Sequence, residues 1–302
     1  DIYLFDNLFF KGGFIGVDIF FVISGYLITS LILKEININN NFSFSNFYDR
    51  RARRLLPALL FVIIIISIAG YFILLPESLF ELSKSIVAAI FFIHNIYLWG
   101  TGFTYGEANL LFKPFVNLWS LSVEEQFYLF FPIFLLFIIT YFKRFTFLIL
   151  FCLFLFSILA ANWMSKTDLN IEYTILGKLF FFFDKFNFYF IFGRIFELTS
   201  GSLLSYFEIY HIKKCNYIKS KPILKKVGTS CGILFILFSF LFFDLNSISH
   251  PSLITIVPII GTILIIFFST EDDLITKLLS FKLFIFFGLI SYSLYLWHYP
   301  IF

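Results

Sequence analysis

Residues 117–132 read Asn-Leu-Trp-Ser-Leu-Ser-Val-Glu-Glu-Gln-Phe-Tyr-Leu-Phe-Phe-Pro. This stretch sets two adjacent carboxylates, Glu124 and Glu125, at the mouth of an apolar run that continues to about Tyr141. A helix needs roughly 20 apolar residues to cross a bilayer, and the run is of that order. Ionisable groups at the edge of such a segment are costly and need a reason to be there. One reason is local: Ser122 ahead of Glu125 resembles a capping box, with acidic residues favoured in a first helical turn. A cap accounts for Glu125 but has no use for Trp119, Gln126 and Tyr128.

The rest of the chain extends this reading. Of its 302 residues, 60% are hydrophobic and 14% are charged, against about 25% charged in soluble domains. Mean hydropathy is +0.93. About nine apolar segments follow one another, at 14–33, 54–75, 85–99, 119–142, 145–163, 189–209, 229–243, 252–268 and 283–302. They are long enough for helices rather than barrel strands, so the expectation is an all-α polytopic transmembrane bundle. Short loops, no internal repeat and no low-complexity linker make 1–302 a single integral-membrane domain. The net charge of +3 is spread over loops and gives no case for nucleic acid. Cys152, Cys215 and Cys231 form no Cys-x-x-Cys pair and read as free thiols, with no metal site. The chain opens on Asp1 without a basic start and stops at Phe302 inside an apolar segment, which suggests a piece of a longer protein.

Lysine and arginine set the expected orientation. Loop 34–53 carries Lys34, Arg50, Arg51 and Arg53, and loop 210–228 carries Lys213, Lys214, Lys219, Lys221, Lys225 and Lys226. Both should face the cytoplasm, yet strict alternation through nine segments puts them on opposite sides. Either 85–99 enters and leaves on one face, or 172–188 crosses as well. The second buries Lys178, Asp184 and Lys185. The first concerns a short segment carrying His94 and Asn95, which suits a re-entrant piece lining a cavity, and is preferred.

Three further strings carry groups that a lipid-facing helix avoids. In Gly12–Thr29, Asp18 lies inside an apolar helix and must face protein or water, while Gly16 and Gly25 read as a packing seam. In Phe47–Pro57, Arg50, Arg51, Arg53 and Arg54 abut a membrane helix. They serve either as a positive-inside anchor or as a phosphate clamp, since the guanidinium fork matches phosphate. In Gly288–Pro300, Tyr295, Trp297 and Tyr299 fit an interfacial belt, whereas His298 can also work as acid, base or donor.

Together these strings resemble the acyltransferase type 3 family, membrane enzymes that O-acylate bacterial surface glycans. The matching stretches are 13–29, 47–58, 118–132, 194–206 and 290–301, in the family's order; the fourth contains Arg194 and Glu197 as an (i, i+3) pair. The resemblance implies a bacterial inner-membrane protein moving an acyl group, commonly acetyl, from cytoplasmic acyl-CoA (acetyl-CoA) to a sugar hydroxyl. The acceptor would be a glycan or glycolipid such as lipopolysaccharide O-antigen, capsule, exopolysaccharide or peptidoglycan, with membrane lipid around the bundle and no bound cofactor. Asp18, Arg51, Arg54, Glu124 and His298 fall on family motif positions. Members begin with a helix bearing a basic residue and a histidine, expected here before Asp1. Many carry histidine where this chain has Asn117.

The chemistry can be stated from the residues. A sugar hydroxyl needs a general base; Glu124 is the candidate for an orienting or assisting base beside the histidine expected before Asp1, with Asp18 and His298 as further catalytic candidates. Negative charge on the thioester carbonyl needs donors, which Arg194, Trp119, Gln126 and Asn117 could supply, with Glu197 supporting Arg194. Arg51 and Arg54, with Arg50 and Arg53, would hold the donor's phosphates. A glycan or lipid flippase or transporter also needs buried polar groups, but it predicts inverted repeats.

Overall fold

The computed structural model describes residues 11–101, 113–165, 185–244, 248–270 and 273–301. Every element named among them is a helix. A short 3-10 turn at Lys11–Phe14 leads into α1 (Ile15–Asn39), followed by α2 (Phe44–Ile73), α3 (Pro76–Ile90) and α4 (His94–Thr101). The chain continues through α5 (Leu118–Tyr141), α6 (Thr146–Met164), α7 (Ile191–Tyr210), the short α8 (Ile212–Lys219) and α9 (Pro222–Phe242). It ends with α10 (Ile256–Phe268), α11 (Leu274–Leu279) and α12 (Lys282–Ile301). Six stretches among the described residues are long and apolar enough to cross a membrane: Gly12–Asn39, Phe44–Ile73, Leu118–Tyr141, Lys143–Met164, Pro222–Phe242 and Lys282–Ile301. The protein is a multi-pass membrane protein. The other three of the nine apolar segments are 85–99, which is broken, 189–209, which is helical but carries Arg194, Glu197 and Glu208, and 252–268, which forms a shorter helix.

Segment 85–99 is two helices, α3 and α4, with a turn at 91–93 and Phe92 at φ 53°. A break in a helix frees backbone groups that must find new partners in an apolar setting. Residues of α5 supply them: the Gln126 side-chain amide donates to the Phe92 carbonyl at 2.9 Å, and the Ser122 hydroxyl accepts the His94 N–H at 3.2 Å. Gln126 and Asn95 also exchange amide hydrogen bonds at 2.9 and 3.3 Å.

The chain divides into two compact units, one of residues 1–38 and 127–280, the other of 39–126 and 281–302. In the first, α1 and α7 pack with almost no space between backbones. A Cβ on Gly25 would collide with the Leu198 carbonyl, and one on Gly201 with the Val22 carbonyl. Small residues permit this approach where membrane helices associate by van der Waals contact. The pairs Asp18–Arg194, Gly25–Leu198 and Tyr26–Glu208 advance together along both helices, so α1 and α7 run parallel.

Helix α6 runs against α7. Asn187 donates to the Ala161 carbonyl at 2.9 Å, Ser157 to the Phe192 carbonyl at 2.7 Å, and the Phe147 and Tyr206 rings lie 6.3 Å apart. Helices α9 and α10 are antiparallel, with Gly232 against Gly261 and Gly228 against Phe268. The register of α10 on α7, Ile259 with Phe196 and Phe267 with Phe207, is parallel.

These directions give the unit two chemically different ends. One gathers the starts of α1, α7 and α10. The other gathers their finishes, together with Lys34, Lys143, Arg144, Lys213, Lys214, Lys219, Lys221, Lys225 and Lys226. Lys34 and the lysines of loop 210–228 therefore lie at one end of this unit, while the arginines of loop 34–53 belong to the other unit. For α1 and α7 to run the same way, the chain between them crosses an odd number of times. Among the described residues between them, α2, α5 and α6 are the helices long and apolar enough to cross. Residues 172–184 of the alternative crossing fall outside the described residues.

Candidate active site and a buried charge cluster

Several of the residues singled out by sequence form two constellations, one in each unit. In the first unit Arg194 is 1% exposed and Asp18 and Glu197 are 0% exposed. One guanidinium nitrogen, Nη1, donates to Asp18 Oδ1 at 3.1 Å and to Glu197 Oε1 at 2.9 Å. The Arg194 Nε–H donates to the Phe188 carbonyl at 3.3 Å, and the guanidinium lies 4.8 Å from the Phe188 ring. The imidazole of His250, from the segment between α9 and α10, lies with Nε2 3.0 Å from Arg194 Nη1 and Nδ1 3.2 Å from Thr255 Oγ1.

Three chain segments are thus tied by one buried arginine. Arginine suits this because its fork serves several acceptors at once and is weakly hydrated. Asp18, offered by sequence as a catalytic carboxylate, is here committed to Arg194, with His250 Nε2 3.3 Å from the same oxygen. His250 lies in none of the resembling strings, and no periodicity pointed to it. Its membership depends on where the segment after α9 returns.

In the second unit three resembling strings converge: the arginine segment at the start of α2, the start of α5, and α12. Arg51 lies 3.7 Å from Glu125 Oε1 and 5.3 Å over the Phe47 ring. Glu124, next along α5, is 5% exposed, and Trp119 and Asn117 are buried. Arg53 instead forms a surface pair with Asp49, one turn earlier, at 2.9 Å. Arg50 and Arg54 are exposed. Of the four arginines Arg51 alone is turned into the unit, a distinction that helical spacing could not make.

Helix α12 is fastened to this constellation by two tyrosines. Tyr292 donates to the Leu55 carbonyl at 3.1 Å. The Tyr295 hydroxyl bonds Ser120 Oγ and the Asn117 carbonyl, and the Asn117 amide donates to the Tyr295 carbonyl. Asn117 and Gln126, considered as donors to a developing oxyanion, thus already serve Tyr295 and the α3–α4 break. Sequence reading assigned Tyr295 to an interfacial belt, and the hydrogen bonds give it a partner instead. His298 is exposed, its ring 5.5 Å from that of Tyr299. Among the described residues no group of three or more His, Cys, Asp or Glu could hold a metal. Cys152, Cys215 and Cys231 are free thiols.

A bundle that buries arginine–carboxylate constellations in two helical units is the architecture of a polytopic membrane protein built around polar chemistry. The family described as an acyltransferase domain matches residues 3–302, and the chain belongs to that family. It is 35% identical over 294 residues to the peptidoglycan O-acetyltransferase OatA of Listeria monocytogenes, covering 96% of this chain and 45% of that protein. It is 32% identical over 304 residues to O-acetyltransferase OatA of Staphylococcus aureus strain NCTC 8325, covering 99% and 48% respectively. A putative O-acetyltransferase of Staphylococcus aureus strain COL matches to the same extent. The chain spans about half the length of these curated relatives. No solved structure matches it.

Proposed function

We propose that this chain is the membrane domain of an O-acetyltransferase, moving an acetyl group from a cytoplasmic acyl-CoA to a hydroxyl of a cell-wall glycan, in the bacterial cytoplasmic membrane. The family supports acyl transfer. The names of the relatives favour acetyl as the group and peptidoglycan over O-antigen as the acceptor. The observation that carries the site is the Arg51–Glu125 pair at 3.7 Å beside the buried Glu124.

The roles follow from that geometry. Arg51, held by Glu125 and Phe47, presents a fixed cation to a donor phosphate, and the exposed Arg50 and Arg54 add positive field. Glu124 is the base that takes the proton of the sugar hydroxyl. Attack on the thioester carbonyl forms the new C–O bond, and the thiolate of coenzyme A leaves and is protonated. The Tyr295–Asn117–Ser120 network holds the start of α5, and so Glu124, in place.

The test restores a disrupted gene with the native codon, Glu124→Gln or Arg51→Ala, then measures acetyl released from wall glycan by mild alkali. Native protein should restore the ester. Glu124→Gln, expressed at native level, should not. Arg51→Ala should weaken acyl-CoA binding by the purified protein, whereas Glu124→Gln should leave it intact. Full acetylation by Glu124→Gln would remove that residue from the mechanism.

A further inference from the structure

The basic end of the first unit contains two cavities that the proposed reaction does not use. One, of about 390 Å³, lies between the finishing turns of α1 and α7 and is lined by Tyr26, Ser30, Lys34, Asn37, Ser205 and Glu208, with isoleucines completing its wall. The other, of about 350 Å³, is lined by Phe207, Lys213, Lys214, Tyr217 and Ile218, so the two flank α8.

The charges in the first cavity are unevenly satisfied. Glu208 receives the Tyr26 hydroxyl on one carboxylate oxygen and Lys219 Nζ on the other, each at 2.6 Å. Its charge is therefore neutralised within the unit, which leaves Lys34 to set the sign of the wall. Ser205 is 1% exposed, and its hydroxyl has no hydrogen-bond partner among the described residues. A buried hydroxyl without a partner is costly and marks a place where a polar ligand would be bound well.

Helix α8 adds a second observation. It carries Lys213, Lys214 and Lys219, yet Ile212 is 57% and Tyr217 64% exposed. Exposed apolar groups among lysines, at the cytoplasmic end of a bundle, describe a helix lying in the membrane interface. Basic pockets between membrane helices on that side suit phosphate headgroups.

We propose that the basic end of this unit binds the phosphate headgroup of an anionic phospholipid. The phosphate sits in the first cavity against Lys34, Asn37 and Ser205, and the acyl chains run over the apolar residues of α8. The proposal is independent of the acyltransferase reading and rests on the packing of α1, α7 and α8.

The full chain, purified in neutral detergent, is offered phosphatidylglycerol or phosphatidylcholine, and lipid retention is read by native mass spectrometry. Phosphatidylglycerol should be retained in preference. Lys34→Gln should weaken that retention about fivefold, the effect of one lysine at a membrane surface. Ser205→Ala should weaken it as well, and Lys34→Arg should preserve it. The double variant Lys225→Gln/Lys226→Gln, at residues lining neither cavity, should change it less. Equal retention of the two lipids, or equal loss in Lys34→Gln and the control, overturns the proposal. So does thermal protection by inorganic phosphate alone that matches phosphatidylglycerol, because the site would then belong to a free anion. Should Lys34→Gln fail to fold, the comparison of lipids and phosphate on native protein still decides.

Discussion

Arg194 Nη1 donates to Asp18 Oδ1 at 3.1 Å, across 176 positions of sequence and with both side chains inaccessible to solvent. This contact fixes the register of two parallel helices. Removing one partner of a buried ion pair costs about 3–5 kcal/mol, because the other charge is stranded. Arg194→Gln should therefore lower the melting temperature in detergent sharply. Pairing it with Asp18→Asn should recover part of the loss, since the stranded carboxylate is neutralised. Additive losses in the double variant would show that the two residues are not coupled.

His250 lies outside the membrane-spanning stretches. Burial, and then the positive charge of Arg194, hold its imidazole well below the ordinary value of 6.5, while Glu197 acts in the opposite direction. The unfolded chain takes up this proton near pH 6.5 and the folded protein does not. Its contribution is fully present above that pH and is lost as pH falls below it. Melting temperatures measured between about pH 7.5 and about pH 5.5 should fall more steeply for native protein than for His250→Asn. Equal slopes would show that the imidazole contributes no such dependence.

The α1–α7 interface tolerates no added side chain at its closest points. Gly25→Ala and Gly201→Ala each press a methyl into a carbonyl of the facing backbone. Each should destabilise by about 1–3 kcal/mol or more, the usual cost of overpacking. Gly16→Ala on the same helix, where nothing lies within 4 Å, should leave the melting temperature almost unchanged.

Gln126 and Glu124 separate structural from chemical roles on one helix. Gln126→Leu leaves the Phe92 carbonyl and the Asn95 side chain without their present partners. It should cost about 1–3 kcal/mol and reduce the amount of folded protein. Glu124→Gln should leave the amount nearly native and reduce glycan acetylation. Normal stability in Gln126→Leu would mean that the helix break is satisfied in another way.

The direction of the first unit predicts labelling from outside the cell. In a background with the three cysteines replaced by serine, Ser249→Cys should react with a membrane-impermeant maleimide in intact cells. Lys214→Cys should react only after permeabilisation. The reverse pattern would invert the orientation drawn from the lysines.

Much of this protein is legible along the chain because its signals are local. Apolar length and low charge density give membrane helices, as at 118–141 and 146–164. Pairing along one helix, as for Arg194 and Glu197, follows from three-residue spacing. The strings that carry the family resemblance are also linear. The break at 91–93 was legible only as an awkward segment carrying His94 and Asn95, because its compensating groups, Ser122 and Gln126, come from a helix 28 and 34 positions further on.

What the sequence alone determined is the class: a helical membrane protein, with arginines and carboxylates placed where lipid would reject them. Tertiary structure decided which of those groups meet. It separated Asp18 and Arg194 from Glu124 and Arg51 into different units, recruited His250, and turned one arginine of four inward. It also ran α1 and α7 parallel, which brought Lys34 and the lysines of 210–228 to one end of the first unit. Burial forces each charge to find an opposite charge or a donor, but the choice of partner depends on backbone approach. Here glycines at 25 and 201, far apart in sequence, set that approach.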